Sequence, residues 1–162
     1  MSNLETKTVK RVRQALADLG LTDTIQELSV PIKKTDQAAQ ALGVEAGAVA
    51  KTLVYSVGNR YVLVITAGGA TCQEDQLSRA FGLEGAVISP TADLVRAVTG
   101  FTIGGVSPLG LVAKLPVAID GTLKKFEKIY VSAGDPNCVF ATSVDELKQL
   151  TGGVVSYAVA KA

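Results

Sequence analysis

The chain has 162 residues and no histidine. That absence excludes Ser-His-Asp and Cys-His catalysis, His-ligated zinc and an imidazole general base. Its two cysteines, Cys72 and Cys138, are too few for a disulfide framework, and reduced thiols are the default for such a chain. Sixteen Lys and Arg against fifteen Asp and Glu give a net charge of +1, so no global field draws the protein onto a polyanion. Contact with nucleic acid has to be local. No apolar run approaches the roughly 20 residues of a membrane span. The first residues, Met-Ser-Asn-Leu-Glu-Thr-Lys, carry no apolar signal stretch, which predicts a cytoplasmic protein. No glycine-rich turn of the P-loop or dinucleotide type leads from a strand into a helix, which argues against nucleotide binding. An enzyme built from what remains works with lysine, carboxylates, hydroxyls, backbone amides or groups of its own substrate.

What is present is apolar and finely divided. Hydrophobic residues make up 48% and charged residues 19% of the chain, with a mean hydropathy of +0.31. The apolar residues fall in short blocks such as Tyr61-Val-Leu-Val-Ile65, the mark of strands buried on both faces. One globular domain over residues 1–162 is predicted. Residues 5–19 read as an amphipathic helix with Val9, Val12, Leu16 and Leu19 inward and Gly20 as its stop. Its basic residues Lys7, Lys10, Arg11 and Arg13 form either a solvated face or a nucleic-acid-facing patch. A strand follows at 24–30, then a helix capped by Thr35 and closed by Gly43. Strands at 50–57 and 60–67 are joined at Gly58-Asn59, a two-residue hairpin signal.

Beyond the hairpin, a helix is predicted at 71–81, a short strand at 85–88 and a helix opening at Ser89-Pro90 with Leu94, Val95 and Val98 inward. Strands at 115–119 and 128–132 flank a single helical turn at 123–126, and 134–137 is a turn by composition. A strand at 139–141, a Ser143–Glu146 capping box opening a helix to Leu150, and a strand at 153–159 complete the reading. Strands outnumber long helices without alternating with them. The predicted fold class is therefore α+β, a strongly twisted, partly closed mixed sheet flanked by helices.

Two stretches carry chemistry. Phe101 to Gly110 sets Gly104, Gly105 and Gly110 around Ser107-Pro108. Such a loop is either a structural turn between elements or a stiff array of exposed amides suited to an anion or an oxyanion. Lys51 lies in a strand and shares a face with Val49, Leu53 and Tyr55. It either snorkels from the strand end or stands at the edge of a pocket.

Together the two stretches resemble the YbaK/ProX editing-domain family, free-standing relatives of the editing insertion of bacterial prolyl-tRNA synthetases. Val49-Ala-Lys-Thr-Leu-Val54 and Gly104-Gly-Val-Ser-Pro108 carry the likeness. Thr35–Gly43, Val62–Gly68, Thr99-Gly-Phe101, Val117–Asp120, Leu123, Phe126 and Ala133-Gly134 extend it in order over most of residues 24–150.

The resemblance implies a hydrolase, independent of metal and cofactor, that deacylates mischarged tRNA, of tRNA-Pro or a related tRNA. The partners it implies are the 3′ aminoacyl end and an aminoacyl-tRNA synthetase, with no membrane. A non-catalytic module binding the tRNA end or a synthetase is the alternative. Carried onto this chain, the resemblance makes Lys51 the essential side chain, holding the terminal nucleotide or the aminoacyl carbonyl. In the mechanism it suggests, the amides of Gly105, Val106 or their neighbours stabilise the oxyanion, and Gly104, Val106, Ser107, Pro108 and Thr52 line the substrate site. Some relatives place a polar residue where this chain reads Gly134-Asp-Pro-Asn-Cys-Val139. Cys138 there either lines the pocket or is an inert buried thiol, and nothing near it in sequence marks a nucleophile.

Overall fold

A computed structural model describes residues 2–162. Helix α1, Lys7–Asp18, opens at Thr6, whose side chain accepts the Val9 N–H, and buries Val9, Val12 and Leu16. Each of those apolar side chains stabilises the fold by about 1.5–3 kcal/mol of transfer free energy. Leu19 is exposed instead of inward, because the helix ends at Asp18 and the core beneath it ends at Leu16. Strand β1 is only Gln26–Glu27, shorter than the strand predicted at 24–30. The residues after it leave the sheet to form one wall of a cavity. Helix α2, Thr35–Leu42, begins with Thr35 inside its first turn. Lys34 holds the cap position without a side-chain bond, so the predicted Thr35 cap is not formed.

The centre of the molecule is the hairpin of β2, Lys51–Val57, and β3, Arg60–Thr66. It pairs in unbroken register from Lys51 opposite Thr66 to Val57 opposite Arg60. Gly58 makes the turn at φ +60°, where a Cβ would lie 2.5 Å from the Glu84 carbonyl oxygen. Strand β4, Thr71–Cys72, and helix α3, Leu77–Phe81, replace the single helix predicted at 71–81. Strand β5, Val87–Ile88, pairs with Ser56 and Val57 of β2. Helix α4, Ala92–Thr99, is capped by Thr91, so Ser89-Pro90 lies ahead of it and Leu94 faces out. Strands β6, Val117–Asp120, and β9, Val154–Ser156, extend the sheet in parallel beyond β3. Its order is β5-β2-β3-β6-β9, mixed in direction. Residues Val62 to Ile65 are fully buried, as a central strand covered on both faces requires.

A smaller antiparallel sheet joins β1 to β8, Cys138–Thr142, and β7, Ile129–Asp135. The register of β7 slips between Ser132 and Asp135, so the strand outruns its predicted end and the turn narrows to Pro136-Asn137. A parallel bridge from Val49 to Tyr130, with the Ala50 N–H donating to the Tyr130 carbonyl at 2.8 Å, joins the two sheets into a partly closed surface. Helix α5, Val144–Thr151, keeps half of the predicted capping box. Ser143 Oγ accepts the Glu146 N–H, but the Glu146 carboxylate takes the Thr142 hydroxyl at 2.7 Å. The predicted strand at 153–159 divides: β9 stays in the large sheet, and β10, Ala160–Lys161, pairs with β4. The principal core runs from α1 through Leu63, Ile65 and Ile119 to Val131 and Phe140, so it welds both sheets to α1. The architecture is mixed α+β. Among the described residues no helix is long and apolar enough to cross a membrane.

Candidate active site

Strand β2 has one fully paired edge and one that is largely open. Backbone groups alternate sides along a strand. Ala50 and Gly58 donate their N–H groups outward, to Tyr130 at one end and to Ala86 at the other. The N–H and C=O groups of Thr52 and Val54 point the same way. The strand β5 reaches only Ser56 and Val57, so the Thr52 and Val54 groups have no strand partner among the described residues. The open edge borders a cavity of about 560 Å³.

The walls come from five other places in the chain. Pro31, Ile32 and Lys33 enter from the loop before α2, and Ser89 and Pro90 from the loop before α4. Val95 projects from α4, Ile103, Gly104 and Val106 from the glycine loop, and Ser132 and Pro136 from the end of the small sheet. The first wall is tied to the last: Ile32 N–H donates to Pro136 O at 2.8 Å and Leu28 N–H to Asn137 O at 2.7 Å. Those bonds explain why Leu28 to Ile32 does not continue as strand. Its backbone groups are spent on the β7–β8 turn.

The lining is apolar with a few polar groups, the usual composition of a small-ligand site. Among the described residues its charged side chains are Lys33 and Lys51, and no carboxylate lines it. Lys51 is half-buried and forms no salt bridge among the described residues. Thr52 Oγ1 is buried without a hydrogen-bond partner. A buried hydroxyl left unpaired costs roughly 1–3 kcal/mol; Thr66 Oγ1 on the neighbouring strand is in the same position, and neither oxygen is open to the cavity.

Of the residues singled out from sequence, Lys51, Thr52, Gly104 and Val106 line this one cavity. Gly105, Ser107, Pro108 and Cys138 do not. The Gly105 N–H closes a turn onto Thr102 O at 2.9 Å and is not free to meet an oxyanion, whereas no bond engages the Val106 N–H among the described residues. Ser107 is fully buried and its Oγ accepts the Leu109 N–H at 3.1 Å, a bond that stiffens the loop. Pro108 is buried behind it. Cys138 is fully buried in the principal core, and burial, with Asp135 adding to it, pushes its thiol up to about 12. That is the inert thiol. Ile32, Lys33, Val54, Val95, Ile103 and Ser132 are among the cavity residues not singled out from sequence, whereas Pro136 lies in the 134–139 segment that the resemblance points to. Lys33 lies between the strand predicted at 24–30 and the helix predicted from Thr35, where no local pattern marks a site residue. Among the described residues no group of three or more Cys, Asp or Glu is gathered as a metal site.

Known proteins are similar to this chain over most of its length. The Bacillus subtilis protein YwhH, itself uncharacterized, is 28% identical over 145 residues, 89% of this chain and 91% of its own. The Enterococcus faecalis protein EbsC, named as a candidate Cys-tRNA(Pro)/Cys-tRNA(Cys) deacylase, is 30% identical over 120 residues, 73% of this chain and 72% of its own. A crystal structure of a candidate trans-editing enzyme for prolyl-tRNA synthetase superposes with a TM-score of 0.88 at 30% identity, covering 97% of this chain and 99% of that one. The model of the aminoacyl-tRNA editing domain matches residues 29–150, a segment holding every residue of the cavity. The chain belongs to the aminoacyl-tRNA editing domain family.

Proposed function

We propose that this protein hydrolyses the ester that joins a wrong amino acid to the 3′ end of a tRNA, acting as a free-standing deacylase on tRNA-Pro or a related tRNA. The observation that carries the reading is the convergence of Lys51, the open Thr52–Val54 edge and the Gly104–Val106 loop on one apolar cavity. The name given to EbsC points to the same substrate class.

An aminoacyl ester is already activated, so orientation and charge stabilisation are enough. The Lys51 ammonium anchors the terminal nucleotide or the aminoacyl carbonyl, and Lys33 adds a second positive charge at the mouth. The Val106 N–H takes the oxyanion role that Gly105 cannot fill. Water adds to the carbonyl carbon, the bond to the ribose oxygen breaks, and that oxygen receives the proton that the attacking water gives up. The neighbouring ribose hydroxyl or the substrate's amino group relays the proton. Ile32, Val54, Val95 and Val106 then select by size, where one methylene is worth about 1–3 kcal/mol. The reaction draws on no metal.

The test is single-turnover deacylation across a panel of mischarged tRNAs, with and without EDTA. Hydrolysis of at least one ester, unchanged by the chelator, supports the reading. Binding without turnover on every member contradicts it and leaves a tRNA-end-binding module. A rate lost to EDTA and restored by a divalent cation contradicts metal independence.

A further inference from the structure

The loop that brings Gly104 and Val106 to the cavity is held at both ends by one side chain from outside the family match. Arg11 lies on α1, ahead of residues 29–150. Its Nη2 donates to the Gly100 carbonyl at 2.7 Å and its Nε to the Gly110 carbonyl at 2.7 Å. Between these bonds its guanidinium lies 4.5 Å from the centroid of the fully buried Phe101 ring. Both ends of the loop are shaped around it. Gly100 takes φ +83°, and a Cβ there would lie 2.3 Å from Arg11 Nη2. Gly110 takes φ +79°, and a Cβ there would lie 3.3 Å from the Arg11 carbonyl oxygen.

Arg11 has no carboxylate partner among the described residues. A half-buried cation is costly unless its donors are satisfied, and here two carbonyls and an aromatic face satisfy it. A planar fork can serve two acceptors and stack at once, whereas a lysine ammonium is a point charge that cannot. We infer that Arg11 is a positioning residue: it clasps the base of the 100–110 loop and so fixes the Val106 amide and Gly104 at the cavity. The inference rests on the deacylase reading for its catalytic consequence but not for the clasp itself.

The experiment compares the full-length wild type with Arg11→Lys and Arg11→Met, and with Arg13→Lys as control. Arg13 sits on the same helix and bonds to Asp23 and to the Leu4 carbonyl, away from the loop. Two readouts are taken on each: deacylation kcat and KM, and amide hydrogen exchange over residues 100–112. Arg11→Lys keeps the aliphatic stem, so it reports even if Arg11→Met does not fold. The expected result is faster loop exchange and a kcat lower by about tenfold or more, with KM within about twofold, in the Arg11 variants and not in Arg13→Lys. Wild-type loop exchange in Arg11→Lys overturns the clasp. Faster exchange with an unchanged kcat, or an equal kcat loss in Arg13→Lys, overturns its role in positioning. Should the wild type deacylate nothing, the deacylase reading fails while the exchange measurement still decides the clasp.

Discussion

Lys51, the first residue of β2, and Gly104, in the loop after α4, line one cavity although a hairpin and two helices separate them along the chain. Topology brings them to it. The bridge from Val49 to Tyr130 sets the start of β2 against the small sheet, and Gly105 packs against Asp135 at the end of β7. The glycine loop is thereby held opposite the open edge of β2.

Thr52→Val replaces a buried, unpartnered hydroxyl by a methyl of the same shape. The stability should rise by about 1 kcal/mol, since an unsatisfied group is removed, which is a Tm increase of roughly 2–4 °C for a chain of this size. KM should stay at its wild-type value, because the buried oxygen is closed off from the cavity. Calorimetry beside steady-state deacylation checks both. A less stable variant would show that the hydroxyl serves the fold, and a raised KM that it meets substrate.

Gly104 and Gly105 should respond differently to a methyl group. Gly104 sits at φ +87°, and a Cβ there would have Pro136 Cβ and Cγ as its nearest neighbours, both at 3.9 Å. Gly104→Ala therefore costs about 1–2 kcal/mol of backbone strain and leaves the loop in place. At Gly105 a Cβ would lie 3.1 Å from Asp135 Cα. Gly105→Ala forces the loop and β7 slightly apart and should lower kcat by about tenfold through misplacement of Val106. Urea denaturation and single-turnover rates separate the two effects.

How much of the fold and site was legible in the sequence follows from where each constraint originates. The β2–β3 hairpin, α1 and α5 rest on local pattern, and sequence carried them, whereas the pairing of Lys51 with the glycine loop came from the family resemblance and not from the residues alone. Thr71–Cys72 did not read as a strand because its partner, Ala160–Lys161, lies at the far end of the chain. Arg11 read as part of a basic face because nothing near it in sequence announces two carbonyls some ninety residues on. An amphipathic helix face looks the same whether solvent or a loop covers it. Lys33 and Pro136 reach the cavity because the Ile32 N–H bonds to the Pro136 carbonyl across about a hundred residues of chain, and Ser132 because the small sheet docks beside β2.

Cys138 gives a signature in alkali. Its thiol titrates well above the ordinary value because it is buried. From about pH 9 the unfolded chain releases that proton while the folded chain keeps it up to about pH 12. The unfolded state then binds fewer protons, so stability falls as pH rises, by about 1.4 kcal/mol per pH unit for this one group. Below pH 9 the group contributes no slope. Denaturant unfolding from about pH 8 to about pH 11 should show a shallower alkaline loss in Cys138→Ala than in wild type, whatever the offset from the lost packing. Parallel slopes would contradict the assignment.

The most direct test of the central claim is the single-turnover deacylation rate of Lys51→Ala beside wild type on the mischarged tRNA that wild type hydrolyses fastest. Lys51 is half-buried and forms no salt bridge among the described residues, so the variant should fold with a nearly unchanged Tm. Its rate should fall by about 100-fold or more, the loss of a charged group that orients the ester. A folded Lys51→Ala protein that deacylates at the wild-type rate would contradict the account.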